Sequence, residues 1–357
     1  MSYADIAARF AMHGKPVDIQ PLGNGLINDT FAVADSVGGR YVLQRINTAV
    51  FQDVDALQEN LCKITGHIRR CLEERRVEDI DRRVLTPVPA ADGEAYVRAQ
   101  GEVWRMTRLI PDSVTYEQVT PQMAELTGRA FADFHTMLAR PDAPDLKETI
   151  RDFHNVAFRI RQLGEAMSED KAGRLAGVSE ICNELLSRAD EMTLAQRLEA
   201  EGKLPRRIAH CDTKLNNILF DADGSILCVI DLDTTMPGFV LSDFGDFIRT
   251  AASTAPEDEP DTSRVRVDMD IFRAFARGYI GSATFLTPLE RELLPYGAQM
   301  LTYMQTVRFL TDYINGDTYY KIKYPEHNLV RTRNQLALLH RRPTAGDARN
   351  NQQIAND

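Results

Sequence analysis

The sequence HCDTKLNNILFDADGSILCVIDLD, which begins at His210, constrains the fold of this chain more than any other stretch. Asp212 and Asn217 lie five residues apart on a predicted loop that enters a strand. Residues 222–224 supply the turn between two short apolar strands, and Asp231 follows the second strand. Because a carboxylate at the end of a buried strand is poorly hydrated, we expect Asp231 to meet a positive group.

This spacing is typical of phosphoryl transfer. In that chemistry a loop aspartate accepts a hydroxyl proton, an asparagine five residues later holds a metal ion, and a second aspartate holds the metal at the phosphates. The simpler interpretation is a hairpin with solvated carboxylates, since a lone Asp or Asn at a turn is usually turn chemistry. For His210 alone, bracing the loop is the more common role. The combined spacing favours the phosphoryl-transfer hypothesis.

The motifs H-x-D-x-x-x-x-N and I-D-x-D resemble those of the aminoglycoside phosphotransferase and choline kinase superfamily. The segments HCDTKLNNIL, IDLDTTMPG, DFGDFIR and KYPEHNLVRTR more closely resemble the N-acetylhexosamine 1-kinases, and the likeness runs from Gly23 to about Arg333. It implies an α+β, two-lobed, protein-kinase-like fold with a small antiparallel β-sheet lobe and a larger, mainly helical lobe. It also implies ATP- and Mg²⁺-dependent phosphorylation of the anomeric hydroxyl of GlcNAc or GalNAc.

The resemblance assigns roles to the residues of the central motif. Asp212 accepts or orients the proton of the anomeric hydroxyl, and Lys214 neutralises charge on the moving phosphoryl group. Asn217 and Asp231 hold Mg²⁺ against the phosphates. Like unit charges ~5 Å apart repel by roughly 3 kcal/mol at an effective dielectric of about 20, so carboxylates facing a triphosphate require a divalent cation.

Two residues near the C-terminus are candidate sugar contacts. Arg308 lies in an apolar helical stretch, where an unpaired guanidinium is costly. A buried carboxylate partner and a ligand are equally consistent with that position, and the resemblance favours a sugar contact. Tyr319 falls where the hexosamine kinases place a tyrosine that lines the sugar.

The N-terminal strands carry the candidate nucleotide loop. Gly23 and Gly25 let backbone amides approach phosphate oxygens, although an ordinary hairpin turn is the alternative. The resemblance places Asn28 and Thr30 near the nucleotide phosphates or the sugar. Leu26 stands where the hexosamine kinases carry a polar residue, which leaves sugar contacts from this loop open.

The third strand, 40–46, departs from the usual kinase pattern. Kinases of this shape carry a lysine here that reaches the α- and β-phosphates, and in this chain the position falls on Gln44, beside Arg45. Either residue takes over the phosphate contact, or Mg²⁺ carries more of the charge. Glu59, on the following helix, is the candidate partner.

Strands near residues 95–99 and 103–109 complete a predicted five-stranded sheet, and by analogy of fold the adenine bonds the backbone near Leu109. Pro111 then begins the connection to helical sequence. Three segments are predicted: a nucleotide-binding lobe (1–110), a helical lobe with the catalytic hairpin and sugar site (111–345), and a disordered polar tail (346–357).

Two aspartates in the segment DFGD are assigned structural roles. Asp243 resembles the metal aspartate of a D-F-G motif, but Asp231 already holds the strand-end position. Asp243 and Asp246 are instead expected to cap a helix and brace the catalytic loop, since carboxylates favour a helix N-terminus. His135 is expected at the edge of the core, without a catalytic role.

Composition excludes several other classes. Forty-two basic and fifty-two acidic residues give a net charge of −10, which argues against a nucleic-acid binder but not against ATP. The five cysteines have no C-x-x-C spacing, so neither a disulfide framework nor a zinc site is indicated. With neither a signal peptide nor an apolar run of ~18 residues, a cytoplasmic protein without a membrane partner is expected.

Rival functions remain open at this point. A kinase for choline needs an aromatic cage, and the single tryptophan, Trp104, lies in the predicted small lobe. Homoserine or another small alcohol is a further possible acceptor, and a non-catalytic nucleotide-binding protein would explain the missing lysine. A hydrolase using Asp212 or Cys211 lacks a base at suitable spacing. Residue patterns do not distinguish GlcNAc from GalNAc, ATP from GTP, or one oligomeric state from another.

Overall fold

The computed structural model describes residues 1–23 and 27–341. Its strands are β1 (Pro16–Pro21), β2 (Asp29–Asp35), β3 (Arg40–Ile46), β4 (Pro87–Val88), β5 (Val97–Ala99), β6 (Glu102–Arg108), β7 (Arg207–Ala209), β8 (Ile218–Phe220), β9 (Ile226–Val229) and β10 (Met236–Gly238). Its helices are α1 (Tyr3–Ala7), α2 (Val54–Glu74), α3 (Ile80–Arg83), α4 (Pro121–Leu138), α5 (Val156–Glu169), α6 (Ser179–Ser187), α7 (Ala189–Met192), α8 (Leu194–Ala200), α9 (Val240–Ala251), α10 (Met269–Ser282), α11 (Pro288–Ile314) and α12 (His327–His340).

The chain forms two compact units. The first comprises Met1–Thr115, Met137–Arg151 and Asn217–Pro237, and the second comprises Tyr116–Thr136, Asp152–Asn216 and Gly238–Asp357. The hairpin that carries Asp231 therefore groups with the sheet, whereas the sequence placed it in the helical segment. The predicted lobe boundaries stay a prediction.

A six-stranded antiparallel sheet organises the first unit, in the order β1-β2-β3-β6-β4 with β5 paired to β6. The sequence predicted five of these strands and missed β4. That strand has two residues and begins with Pro87, so neither alternation nor propensity marks it. Its Val88 pairs with Met106 at the edge of the sheet.

Apolar side chains cover both faces of this sheet. On one face, Leu43 and Trp104 pack with residues of α1, which is five residues long. Phe10 instead forms a bridge with Ala90. On the other face, Ile46 packs against the start of α2, whose first turn is capped by Asp53 accepting from the N–H of Ala56 at 2.9 Å.

The hairpin formed by β8 and β9 belongs to the first unit. Gly224, with φ of +82°, makes the turn between β8 and β9. Asn217 ends a 3₁₀ turn immediately before β8, and its carbonyl accepts from the N–H of Ile230 at 2.9 Å. The chain then turns sharply, because Asp231 adopts a left-handed conformation with φ of +58° before a second 3₁₀ turn, Leu232–Thr234.

Helices α9 and α11 pack closely in the second unit. A Cβ atom on Gly245 would lie 2.2 Å from the carbonyl oxygen of Gly297, and one on Gly297 would lie 2.2 Å from that of Leu241. Glycine at both positions therefore allows the two backbones to approach. Helix α4 begins at Pro121, and the Thr120 hydroxyl accepts from the N–H of Met123 at 3.2 Å. Across the described ranges, no helix combines the length and apolar character that a membrane crossing requires.

Candidate functional site

The loop that follows β7 is held by Asp243 of α9. The carboxylate accepts from the backbone N–H of His210 at 2.5 Å and of Cys211 at 2.8 Å, and from His135 Nε2 at 2.7 Å. Burial is the largest single influence and opposes ionisation, but the hydrogen bond from His135, attraction to His135 and His210 and the N–H of His210 together outweigh it, so the pKa of Asp243 lies below its ordinary value. An ionised carboxylate thus holds Cys211 in a left-handed conformation, with φ of +64°.

Asp246 provides a second support for the same loop. It accepts from the N–H of Thr213 at 3.1 Å and from Arg249 at 3.0 Å. The predicted bracing of the loop is thus confirmed. The predicted capping is wrong, because Phe239 is the N-cap of α9 and makes no side-chain hydrogen bond there.

Asp212 and Lys214 form an ion pair on this loop, with 2.6 Å between Nζ and the carboxylate. Both side chains are partly exposed. Burial lowers the pKa of Lys214, but attraction to Asp212 and Asp246 outweighs it, and the pKa lies above its ordinary value. The ammonium therefore stays charged at neutral pH.

The two histidines and the cysteine at and beside this loop are buried among structural contacts. His210 is fully buried and meets Phe131 and Phe134 edge-on. The Tyr279 hydroxyl lies 2.9 Å from His135 Nδ1, so both nitrogens of that buried ring have partners. Burial raises the pKa of the Cys211 thiol well above its ordinary value, which makes it a poor nucleophile.

In the first unit, the buried carboxylate after β9 belongs to Asp233. The expectation that Asp231 would be poorly hydrated is wrong, because its side chain is exposed while that of Asp233 is 3% exposed. Arg105 of β6 forms a bidentate ion pair with Asp233, in which Nη2 donates to Oδ2 at 2.9 Å. Because the chain turns at the left-handed residue Asp231, Asp233 takes the buried position that was expected for Asp231.

The predicted nucleotide residues join the Arg105–Asp233 ion pair through hydrogen bonds. Arg105 Nε donates to Gln44 Oε1 at 2.9 Å, and Gln44 Nε2 donates to the Thr30 hydroxyl at 3.1 Å. Asn28 Nδ2 donates to Asp233 Oδ2 at 2.8 Å. The structure thus brings together Asn28, Thr30 and Gln44, which the sequence identified, and adds Arg105, which it missed.

Two other candidates lie apart from this cluster. Arg45 follows Gln44 on β3 and therefore points to the opposite face of the sheet, where it binds Asp29 at 2.8 Å and Glu102 at 3.3 Å. Glu59 pairs with Lys147 at 2.6 Å and with Lys63 at 2.7 Å. The hydrogen bond from Lys147 is the main cause that lowers the pKa of Glu59 to about 2.

The predicted adenine segment adjoins an apolar cluster of the first unit. The N–H of Leu109 donates to the carbonyl of Arg40 at 3.1 Å, which extends the pairing of β3 and β6. Around the next residue lies an apolar cluster that the sequence analysis missed; its members are Ile110, Leu227 and Cys228, with Leu85, Leu219 and Ile230 half-buried beside them. Gly23 has φ of +71° and open space around it, whereas Gly25 and Leu26 lie outside the described residues.

In the second unit, Arg308 is surrounded by aromatic rings. Its guanidinium carbon lies 5.6 Å from the ring centroid of Phe153, 5.8 Å from that of Tyr319 and 5.5 Å from that of Tyr320. It donates to Gln305 Oε1 at 3.1 Å. Within residues 1–23 and 27–341, no carboxylate ion-pairs with Arg308 at 4.0 Å or less, so the buried carboxylate partner considered from the sequence is not found there.

The loop that carries Tyr319 is organised by a buried aspartate of α11. Asp312 accepts from the backbone N–H groups of Thr318 at 2.9 Å, Tyr319 at 2.8 Å and Tyr320 at 3.0 Å. Arg159 of α5 also faces this region: burial, and then repulsion from Arg308, lowers its pKa to about 10. The region therefore presents cationic and aromatic groups, with Tyr319 67% exposed.

The predicted metal ligands have suitable chemistry and position in the first unit. The backbone bond from Ile230 to Asn217 brings Asn217 beside the residue that precedes Asp231. Amide and carboxylate oxygens are ligands that Mg²⁺ prefers. Over the part of the chain that the structure describes, no three His, Cys, Asp or Glu side chains form a metal site on their own. This donor set fits an ion that takes its other ligands from phosphate and water.

The geometry can be compared with known proteins. Residues 18–279 match the model of the phosphotransferase enzyme family, APH, which covers well over half of the chain. The chain belongs to this family. It is thus a kinase-like phosphotransferase, and the family supports an alcohol as the acceptor.

Solved structures agree with this assignment at the level of the fold. Amicoumacin kinase hAmiN, in complex with AMP-PNP, Ca²⁺ and Ami, is 16% identical with a TM-score of 0.61, over 93% of this phosphotransferase and 91% of hAmiN. An aminoglycoside phosphotransferase from Alicyclobacillus acidocaldarius is 14% identical with a TM-score of 0.61, over 98% and 96% of the two chains.

A choline/ethanolamine kinase family protein from Mesorhizobium loti is 16% identical with a TM-score of 0.53, over 96% and 93% of the chains. These likenesses establish the fold alone. The predicted α+β, protein-kinase-like fold with an antiparallel sheet and a helical lobe is confirmed.

Proposed function

We propose that this phosphotransferase transfers the γ-phosphoryl group of ATP to the anomeric hydroxyl of an N-acetylhexosamine, giving the sugar 1-phosphate and ADP. Family membership supports the reaction class, and the resemblance to N-acetylhexosamine 1-kinases supports the acceptor. The observation that carries the acceptor assignment is Arg308, which has aromatic neighbours and a glutamine but no carboxylate among the described residues.

The chemistry of that region favours a neutral acceptor rich in hydrogen-bonding groups. Arg308 can donate to hydroxyl and amide oxygens, and the exposed Tyr319 offers a ring face and a hydroxyl. A quaternary ammonium acceptor such as choline needs free aromatic faces. Here the guanidinium of Arg308 already lies near three rings, and the charge of Arg159 adds repulsion. A cationic acceptor is therefore disfavoured.

Each predicted catalytic residue has a role in this proposal. Asp212 accepts the proton of the anomeric hydroxyl while that oxygen bonds to the γ-phosphorus and the bond to ADP breaks. Lys214 neutralises charge on the phosphoryl group. Asn217 and Asp231 hold Mg²⁺, which when bound offsets the charge of the phosphates.

The nucleotide contacts are proposed for the first unit. Gly23, Asn28 and Thr30 lie near the phosphates, and the adenine lies by the backbone near Leu109 and the apolar cluster around Ile110. Gln44 takes part through the hydrogen bonds that join it to Thr30 and Arg105. A reducing, cytoplasmic location is proposed because all five cysteines are free thiols.

Comparing acceptors with a free and a blocked C1 oxygen tests the proposal. Free GlcNAc and GalNAc should be phosphorylated with Mg-ATP, and ³¹P NMR should identify a sugar 1-phosphate. The methyl glycosides, which are blocked at C1, should be inert, because only one oxygen can lie in line with the γ-phosphate. Phosphorylation of a methyl glycoside would contradict transfer to C1. Turnover of choline without turnover of any sugar would exclude the carbohydrate assignment.

A further inference from the structure

We propose that Arg105 replaces the missing third-strand lysine as a positioning residue: its ion pair with Asp233 fixes the turn that carries Asp231, and thereby sets the affinity for a metal–nucleotide complex. This inference rests on the proposed function. It concerns a residue of β6, the strand adjacent to β3.

Arg105 occupies the place next to the expected lysine. Gln44 and Arg105 are direct partners in the pairing of β3 with β6, and Thr30 is the partner of Gln44 on the other side. Side chains of directly paired residues lie on the same face of a sheet. Arg105 thus supplies a cation on the face of Gln44, which Arg45 cannot do.

All three nitrogens of the Arg105 guanidinium already have partners in the protein. Nη1 and Nη2 bind the two oxygens of Asp233, and Nε donates to Gln44. The side chains of Arg105 and Asp233 are 5% and 3% exposed. A buried pair of this geometry fixes the relative position of its partners, so Arg105 acts through Asp233.

Asp233 in turn anchors the segment that follows Asp231. Its backbone carbonyl accepts from the Thr149 hydroxyl at 2.7 Å, and its Oδ2 accepts from Asn28 at 2.8 Å. The Oδ1 atom of Asn28 also accepts from the N–H of Asn47 at 2.9 Å. The left-handed residue Asp231 therefore precedes a turn held by three separate segments of the first unit, which supply Asn28, Arg105 and Thr149.

The loss of one partner has a specific consequence. Arg105→Gln leaves the Asp233 carboxylate buried without its cation, and Asp233→Asn leaves the guanidinium buried without its anion; either state is strongly unfavourable. The turn then moves to hydrate the remaining charge, and Asp231 moves with it. The double variant Arg105→Gln/Asp233→Asn removes both charges and keeps an amide–amide pair.

Calorimetric titration with the non-hydrolysable nucleotide Mg-AMP-PNP tests this inference without any sugar. Each single variant should bind about tenfold more weakly and need more Mg²⁺ for half-maximal binding, whereas the double variant should recover most of the affinity, as expected for coupled residues. The matched control is Arg82→Gln, since Arg82 pairs with Asp221 at the other end of the hairpin, at 2.9 Å. It should leave the affinity unchanged.

Each other outcome has a defined meaning. If the double variant binds no better than Arg105→Gln, then Arg105 contacts the nucleotide directly and the positioning role is overturned. If the single variants melt earlier but bind the nucleotide normally, the ion pair has only a structural role and the inference is overturned.

If Arg105→Gln does not fold, Arg105→Lys replaces it, because lysine keeps the charge but not the bidentate geometry. Failure of the wild type to bind would refute the proposed function as well, whereas normal wild-type binding with unchanged variants refutes this inference alone.

Discussion

At the scale of single residues, two carboxylates near the ends of β9 and β7 differ in their exposure to solvent. Asp231 is exposed and precedes a buried, ion-paired Asp233, whereas Asp212 is partly exposed and pairs with Lys214 at 2.6 Å. A metal ion can reach an exposed carboxylate from solvent, and a substrate hydroxyl can reach a partly exposed one. The roles proposed for Asp231 and Asp212 agree with these surroundings.

Asp212→Asn removes the proposed base while keeping the shape of the side chain. We expect kcat to fall by roughly 10²–10⁴-fold, the usual contribution of a general base, with little change in Tm. Steady-state kinetics and thermal unfolding would measure both. Asp223→Asn, in the turn of the hairpin, is the control and should keep full activity; turnover near the wild-type rate in Asp212→Asn would remove this residue from the mechanism.

Arg308→Gln and Tyr319→Phe address the proposed acceptor site. Both should raise the KM for the sugar more than the KM for ATP, because each variant loses a hydrogen-bonding group of the proposed acceptor site. The control Arg277→Gln changes a surface arginine of α10 that pairs with Glu125 at 2.9 Å, and its KM values should not move. Early melting of Arg308→Gln with both KM values unchanged would instead indicate a structural role.

At the scale of elements, the conformation of the loop of residues 210–214 depends on α9. The backbone N–H groups of residues 210, 211 and 213 donate to aspartates of this helix, and the helix is fixed in turn against α11 by Gly245 and Gly297. The loop conformation is therefore set by helix packing as well as by the loop's own sequence.

The Asp243 support predicts a pH dependence of stability. Its folded-state pKa lies below the ordinary 3.8, so its stabilisation is present above about pH 4 and is lost as pH falls through the folded-state pKa. Asp243→Asn should lower the free energy of unfolding by about 1–3 kcal/mol at pH 7, since it leaves buried N–H donors poorly satisfied. Denaturant unfolding should show the wild-type advantage narrowing below pH 4. An advantage that is constant with pH would contradict this account.

The close approach of α9 and α11 predicts opposite effects for two glycine substitutions. Gly245→Ala places a methyl group 2.2 Å from the carbonyl oxygen of Gly297, and such overpacking should destabilise the protein by about 1–3 kcal/mol. Gly164→Ala, within α5, meets no atom within 4 Å and should stabilise by up to about 1 kcal/mol through helix propensity. Thermal unfolding compares the two; a neutral Gly245→Ala would show that the helices separate easily.

At the scale of the whole molecule, a net charge of −10 opposes the approach of a polyanion, and a divalent cation bound to the polyanion would offset this repulsion. We expect AMP-PNP with Mg²⁺ to raise Tm, and at a ligand concentration of 100 Kd the stabilisation should be about 2.7 kcal/mol. Excess EDTA should abolish the shift. Equal stabilisation by AMP-PNP in EDTA would exclude a role for metal in nucleotide binding.

Local pattern was sufficient for the residues whose neighbours are close in sequence. The spacing from Asp212 to Asn217, the hairpin turn at Gly224 and the strand β3 follow from turn chemistry and alternation. Arg105 could not be assigned in this way, because its partner lies 128 residues away and only the tertiary fold brings the two together. A charged residue within the strand sequence VWRMT is the one local sign of it.

The burial of Asp233 in place of Asp231 shows a second limit of prediction from local sequence. The sequence indicated that a carboxylate after β9 needs a positive partner, which is correct for Asp233. Which of the two carboxylates is buried depends on the left-handed backbone at Asp231. This conformation is uncommon for residues other than glycine, and the pattern of side chains does not predict it. One dihedral angle decides which carboxylate faces the solvent.

The single tryptophan gives the sheet an optical property. Trp104 precedes Arg105 on β6, is 3% exposed, and lies with its ring centroid 5.7 Å from that of Tyr3. Tryptophan emission therefore originates from the first unit alone, one residue from the ion pair that anchors the turn after Asp231. Fluorescence of the unlabelled chain can therefore follow events in the first unit, while the second unit contributes no tryptophan signal.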